Sequence, residues 1–435
     1  MHVVIFIPGI LGSRLSLGTE EVWPPTLAEI TLGYGRVGKL VDPAVVATEV
    51  IDRVCLRPVY GPLLADLATL AGPGGTVIPF AYDWRRDIRE TAAALARRIA
   101  EAVAQGATRV SLVAHSMGGL VARLAVEDPA QAGAPWLAKV ADLLLLAVPQ
   151  LGAPLALARA LGLEGTLGLA PDDLRTIAAD PRYPALYQLL PAPGQQALWN
   201  TRRDATDPLD LYDAAVAATL GLAPANLAVA EATHRRLAAG SRPAHLRTVH
   251  LGASGHATCL RVEAAGPRLR MIAAEEAGDG TVPLWSAVPG SAQNDVTPGD
   301  HAGFFTDDRF RTTLYRLFDT HLPAVPFASD DEAPRLRLSV DAFTYAPNAE
   351  IDVLVVPLNP ARRIDGTVAV RGSAATGPEA PASPPQPVRY DGPRVTALRL
   401  KLRAPTVPGQ YRLVFAGSHA TGPDDAPAFA VSRAV

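Results

Sequence analysis

Three residues in this chain could together activate a hydroxyl group: Ser116, Asp279 and His301. A serine hydroxyl is a poor nucleophile at neutral pH unless a base takes its proton, and the base needs an acid to orient it. Ser116 lies in the run Ala114-His115-Ser116-Met117-Gly118-Gly119. The apolar stretch Val110 to Val113 before it and the small residues around it read as strand, sharp turn and helix. Such a turn has no room for a large side chain at either end, and Ala114 stands where glycine is usual. Asp279 sits between two glycines in Gly278-Asp279-Gly280-Thr281-Val282-Pro283, just past a predicted strand. His301 sits in Asp300-His301-Ala302-Gly303, ahead of a predicted helix over about 306–320. Each has a plainer reading: a serine that caps a helix, an Asp-Gly turn, a solvated histidine. Their order along the chain, serine then acid then histidine, is the order of an α/β arrangement that cleaves acyl bonds.

The elements that must hold these residues follow from hydrophobic periodicity. Residues 3–7 read as a buried strand, followed at once by the loop Pro8 to Leu15. A helix opens near Pro62, with Leu63, Leu64, Leu67 and Leu70 on one side, and a strand follows at 76–80. The next helix carries Ile88, Ala92, Leu95, Ile99 and Val103 at helical spacing and ends at Gly106. The serine helix runs to Glu127, and residues 140–148 form another apolar strand. Strands alternating with amphipathic helices imply a parallel sheet covered on both faces. The alternation stops after Pro149, and residues 151–244, rich in Ala and Leu and broken by Pro and Gly, read as a helical cap without strands. Strand patterns return at 246–252, 258–263 and 268–273. An α/β domain over 1–322, a linker over 323–333 and a third region over 334–435 are therefore expected. In that last region Leu336/Leu338/Val340, Ile351/Val353/Val355, Val368/Val370, Leu398/Leu400/Leu402 and Tyr411/Leu413/Phe415 alternate with polar residues. This pattern, with a Pro-rich loop at 378–387, suggests an all-β immunoglobulin-like sandwich. It reads as an accessory unit, so a chain ending at about Pro326 is expected to keep its activity.

Composition narrows the partners. The net charge of the 435 residues is −3 and no basic run stands out, which argues against nucleic acid. Cys55 and Cys259 are too few for a disulfide framework and read as apolar fillers. His245, His250, His256 and Cys259 lack regular ligand spacing, so neither a metal nor a cofactor is expected. The opening MHVVIFIPG reads as a strand rather than a leader, and no run reaches the ~18 apolar residues of a membrane span. On these grounds the expected compartment is the cytoplasm.

The segments PGILGS, YDWR, AHSMGG, GDGTVP and a histidine before the last helix of the α/β domain occur here in that order. Together they resemble the lecithin:cholesterol acyltransferase-like α/β-hydrolases, a group with phospholipid:diacylglycerol acyltransferases, lysosomal phospholipases and bacterial lipase-like relatives. Trp23-Pro24, Leu151-Gly152 and the stretch Tyr187 to Pro191 add to the likeness, which covers residues 1–322. The resemblance implies that Ser116 is the nucleophile, Asp279 the acid and His301 the base. It also implies an oxyanion hole made by the backbone N–H groups of Ile10 and Met117, with Leu11, Trp84 and His115 beside the substrate. Tyr82-Asp83-Trp84-Arg85 would be either a wall of the site or a structural turn with a buried Asp–Arg pair. The expected activity is cleavage of carboxylic, lipid acyl esters through an acyl-enzyme. Two alternatives stay open: O-acyl transfer between phospholipids or acylglycerols at a membrane surface, and a non-catalytic protein that binds a protein or glycan through its C-terminal sandwich.

Overall fold

The computed structural model describes residues 1–201, 206–290, 293–322, 335–373, 380–417 and 426–433. The linker expected over 323–333 and part of the Pro-rich loop expected over 378–387 lie outside these residues. Strands β1 (His2–Ile7), β2 (Thr76–Pro79), β3 (Arg109–His115), β4 (Val140–Leu146), β5 (Arg247–Ser254) and β6 (Asn294–Pro298) build one sheet. All its pairs are parallel, in the order β6-β5-β4-β3-β1-β2. The central parallel sheet expected from the strand and helix pattern is thus present. Strand β6 was not expected: only Thr297 of its five residues is buried, so it carries no apolar run.

Strand residues alternate between two cores. Helix α1 spans Gly61–Ala71 and α2 spans Ile88–Ala104. Val3, Ile5 and Ile7 of β1 face one hydrophobic cluster, with Ile88, Leu95 and Ile99 of α2. Val4 and Phe6 face the other, with Leu63 and Leu67 of α1. Helix α3 (Met117–Val126) packs beside α2, and α4 (Asp308–Leu317) adds Phe310 and Leu314 to the second cluster. The period of two in the strands and of 3.6 in the helices therefore sorts the side chains into layers.

The cap departs from the all-helical expectation. Helices Pro154–Ala160, Pro171–Ala179, Ala214–Leu220 and Pro224–Ala239 are present. Between them, strands Leu198–Thr201 and Thr206–Pro208 join the hairpin of His256–Ala265 and Arg268–Gly278 in a separate four-stranded sheet. These short strands are fixed by their neighbours rather than by their own residues, which hides them in the sequence. Gln188 ties the cap to the central unit. Its side chain accepts from Ile88 N at 2.9 Å and donates to Asp87 Oδ1 at 2.7 Å and Thr233 Oγ1 at 2.8 Å.

The C-terminal region is β-rich, as its alternation predicts. Strands Leu336–Val340, Glu350–Pro357 and Leu398–Arg403 form one sheet; Ala361–Ser373, Gln386–Val395, Gly409–Gly417 and Ala428–Val431 belong to a second. Leu338, Val340, Ile351, Val353 and Val355 of the first share one core with Val368, Leu413, Phe415 and Phe429 of the second. Part of the outer face of the first sheet is not solvated. Ser339 is 1% exposed and Asp352 5%, because this face docks on the α/β domain. There Arg337 Nε meets Asp307 Oδ2 at 3.1 Å and its Nη2 donates to Pro298 O at 2.6 Å. Ala257 N donates to Asp352 Oδ2 at 3.3 Å, and Arg309 Nη2 to Pro357 O at 3.1 Å. This buried polar face joins the C-terminal region to the α/β domain.

Candidate active site

Ser116 stands at the turn between β3 and α3, with φ 52° and ψ −128°. A positive φ is strained for a residue with a side chain, and such strain gathers at working sites. The turn is held by close approach. A Cβ on Gly118 would lie 2.4 Å from Pro8 O and 2.5 Å from Ile7 O, and one on Gly119 would lie 2.1 Å from Val148 Cγ2. The small residues after the serine therefore let the helix press against β1 and the strand end of β4.

The three residues expected to act together are brought together. His301 Nε2 lies 2.9 Å from Ser116 Oγ, and His301 Nδ1 lies 2.7 Å from Asp279 Oδ2. Asp279 is fully buried, and its Oδ1 accepts the amides of Thr281 at 2.9 Å and Val282 at 2.7 Å. A carboxylate can only accept, so His301 Nδ1 carries the hydrogen toward Asp279 and Nε2 accepts from the Ser116 hydroxyl. His301 N also donates to Asp279 O at 3.0 Å, which locks the two loops together. This arrangement can take a proton from a serine and return it to a leaving group.

The other expected residues are placed as follows. Met117 opens α3, so its N–H belongs to the first turn, where helix amides lack an internal acceptor. The Pro8-Gly9-Ile10 loop lies against the nucleophile: a Cβ on Gly9 would sit 2.9 Å from Ser116 Cβ and 3.4 Å from its Oγ. Leu11 and Trp84 line the cavity with Ile10, Ser116 and His301. Trp84 is buried, donates from Nε1 to Ser13 O at 3.2 Å and meets Trp23 edge-on. Asp83 and Arg85 form the buried pair of the structural reading, with Arg85 Nε 2.8 Å from Asp83 Oδ1 and Nη2 2.7 Å from Oδ2. Cys55 and Cys259 are free thiols, and burial pushes Cys259 up to about 11.

His115 plays a part that sequence reasoning did not assign. Its Nε2 lies 2.9 Å from His301 O, and its Nδ1 lies 2.7 Å from Tyr60 Oη, which accepts from Gly9 N at 3.0 Å. Burial above all, and the neighbouring His301 ring, push the His115 imidazole well below its ordinary range. The neutral ring then donates from Nε2 to the carbonyl and accepts the Tyr60 hydroxyl at Nδ1. One hydrogen-bonded chain thus runs from the Gly9 loop through Tyr60 and His115 to the backbone of His301. Tyr60 had no signal of its own: it reads in the sequence as an aromatic before a helix. The same holds for Asp300, buried beside His301 and paired with Arg57. Burial alone would raise its carboxyl, but the charge of Arg57 and others hold it below the carboxylate range.

A cavity of about 550 Å³ opens over Ser116. Leu155, Leu167, Leu174, Ile177 and Leu186 of the cap line it opposite Ile10 and Leu11. No group of three or more metal-ligating side chains occurs among the described residues. None of the described helices is long and apolar enough to cross a membrane.

Comparison with known proteins agrees with the likeness read from the motifs. Residues 66–215 match the family model of lecithin:cholesterol acyltransferase, a span that holds Ser116 but neither Asp279 nor His301. No curated protein matches the chain. Solved structures match at a distance. The Tle4–Tli4 complex shows 15% identity over 73% of this chain and 98% of that one, with a TM-score of 0.46. The mature Bacillus licheniformis lipase BlEst2 shows 13% identity over 72% and 91%, with a TM-score of 0.39. Phospholipase PlaB from Legionella pneumophila shows 11% identity over 100% and 91%, with a TM-score of 0.29.

Proposed function

We propose, starting from the lecithin:cholesterol acyltransferase likeness of residues 66–215, that this chain is a serine hydrolase of lipid acyl esters. The single observation that carries the reading is the linked set Ser116–His301–Asp279, at 2.9 and 2.7 Å, at the floor of an apolar cavity. His301 takes the Ser116 proton as Oγ attacks the ester carbonyl. The amides of Met117 and Ile10 receive the developing oxyanion, each worth roughly 3 kcal/mol in systems of this kind. The alcohol leaves with the proton held on His301 Nε2, and an acyl ester remains on Ser116. Water, deprotonated by the same nitrogen, then releases the acid. Asp279, its second oxygen held by two amides, keeps the His301 ring in the tautomer that both steps require. Transfer to an alcohol instead of water is the alternative outcome of the second step. We read the C-terminal region as an immunoglobulin-like sandwich, on the strength of two sheets over one core.

Nitrophenyl esters from acetyl to palmitoyl test the reading. Ser116→Ala is expected to lower kcat by about four to six orders of magnitude, and Asp279→Asn by about four, with circular dichroism unchanged. Turnover by Ser116→Ala near that of the parent would remove the serine from the mechanism.

A further inference from the structure

The substrate cavity is not closed by the α/β domain alone. Residues 341–346, with Ala349 and Glu350, line it together with Ser116 and His301. They belong to the C-terminal region, running from the end of strand Leu336–Val340 to the first residue of strand Glu350–Pro357. We propose that this region is a wall of the substrate cavity and that Phe343 is the residue through which it contacts the acyl chain. The proposal rests on ester cleavage at Ser116 being the reaction.

Three observations lead to Phe343. Its ring is half-buried and packs against the same hydrophobic cluster as Ile10 and Leu11, beside the nucleophile. It lies under the Arg57 guanidinium at 5.4 Å, and Arg57 is ion-paired with Asp300, the neighbour of His301. Within its own loop, polar groups beside it are engaged with one another: Tyr345 Oη donates to Asp341 Oδ1 at 2.6 Å and accepts from Ala342 N at 2.9 Å. The side chain left facing the cavity in this loop is thus an aromatic ring with no polar demand, suited to a hydrocarbon chain.

The wall is also held in register with the chemistry. Ser339, three residues before Ala342, is clamped to the base loop: its Oγ donates to Asp300 Oδ2 at 3.1 Å and accepts from Asp300 N at 3.1 Å. His256 Nε2 reaches the same oxygen at 3.0 Å. On the acid loop, a Cβ on Gly280 would lie 2.5 Å from Asp341 O, so that loop and the wall touch backbone to backbone. Asp279 and His301 therefore sit between Ser116 and the C-terminal domain, and displacement of the domain displaces both loops.

The test uses the full chain and nitrophenyl esters of constant alcohol and increasing acyl length. Phe343→Ala is expected to lower the ratio of palmitoyl to acetyl kcat/KM about tenfold, mainly through KM, and Phe343→Leu to lower it less, in a graded series. A ratio equal to or higher than that of the parent in both variants overturns the contact. Labelling of Ser116 by a fluorophosphonate, read against Ser116→Ala, reports separately on the proposed reaction. If the parent cleaves no ester and takes no label, the hydrolase reading falls. Binding of cis-parinaric acid then decides the wall: about tenfold weaker binding by Phe343→Ala supports it, and equal binding overturns it.

Discussion

Tyr60 shows how much of this site depends on one hydroxyl. Its ring meets Phe6 and His115 edge-on, and its Oη holds Gly9 N and His115 Nδ1. Tyr60→Phe keeps the ring and removes the oxygen, leaving a buried amide and a buried imidazole nitrogen without this partner. The expected cost is about 1–3 kcal/mol of stability. Because Gly9 precedes Ile10 and His115 bonds the backbone of His301, kcat should also fall, by roughly ten- to a hundredfold, with KM little changed. A variant with the parent's kcat would show that the Gly9 loop keeps its place without Tyr60. His115 remains neutral throughout, since burial and the adjacent ring hold it far below its usual range.

Among the elements, the crossing of β1 over the start of α3 decides the geometry around Ser116. A methyl group at Gly118 would press into the carbonyls of Ile7 and Pro8. Gly118→Ala is therefore expected to destabilise the fold by about 1–3 kcal/mol and to cut ester turnover by moving the Ile10 amide. A thermal melt and a kcat measured side by side check this, and a variant matching the parent in both would mean that the loop yields freely. This element was legible in the sequence because its signals are local: an apolar strand, a tight turn, small residues, a helix. Strand β6 and the cap strand Leu198–Thr201 were not, since their pairing partners make them strands. The same limit hid the docking face. Arg337, Ser339 and Asp352 alternate with apolar residues in a pattern that reads as a wetted sheet surface, yet all three are buried against the α/β domain. Alternation tells which side chains share a face; it does not tell what covers that face.

For the molecule as a whole, three buried histidines, His115, His234 and His250, contribute to its response to acid. Burial brings His234 and His250 down to about 4, and His115 lies well below its usual value too. In the unfolded chain all three take up protons near pH 6.5. The unfolded state thus binds more protons below that pH, and stability, complete above it, drains away from pH 6.5 down to about 4. The slope is roughly 1.4 kcal/mol per pH unit for each histidine. Urea unfolding at about pH 7.5, 6 and 5 should show the midpoint falling at each step, and a constant midpoint would contradict the assignment of neutral buried rings. The docked C-terminal region has a consequence in time as well. A ribosome completes Ser116, Asp279 and His301 before it reaches Ser339 and Phe343. The nascent chain therefore owns its reactive groups before it owns the clamp on Asp300 or the far side of the acyl chamber. On the proposed reading, the chamber closes only once residues 341–350 have followed His301 out of the ribosome and docked, and a chain interrupted between them carries Ser116, Asp279 and His301 without the wall.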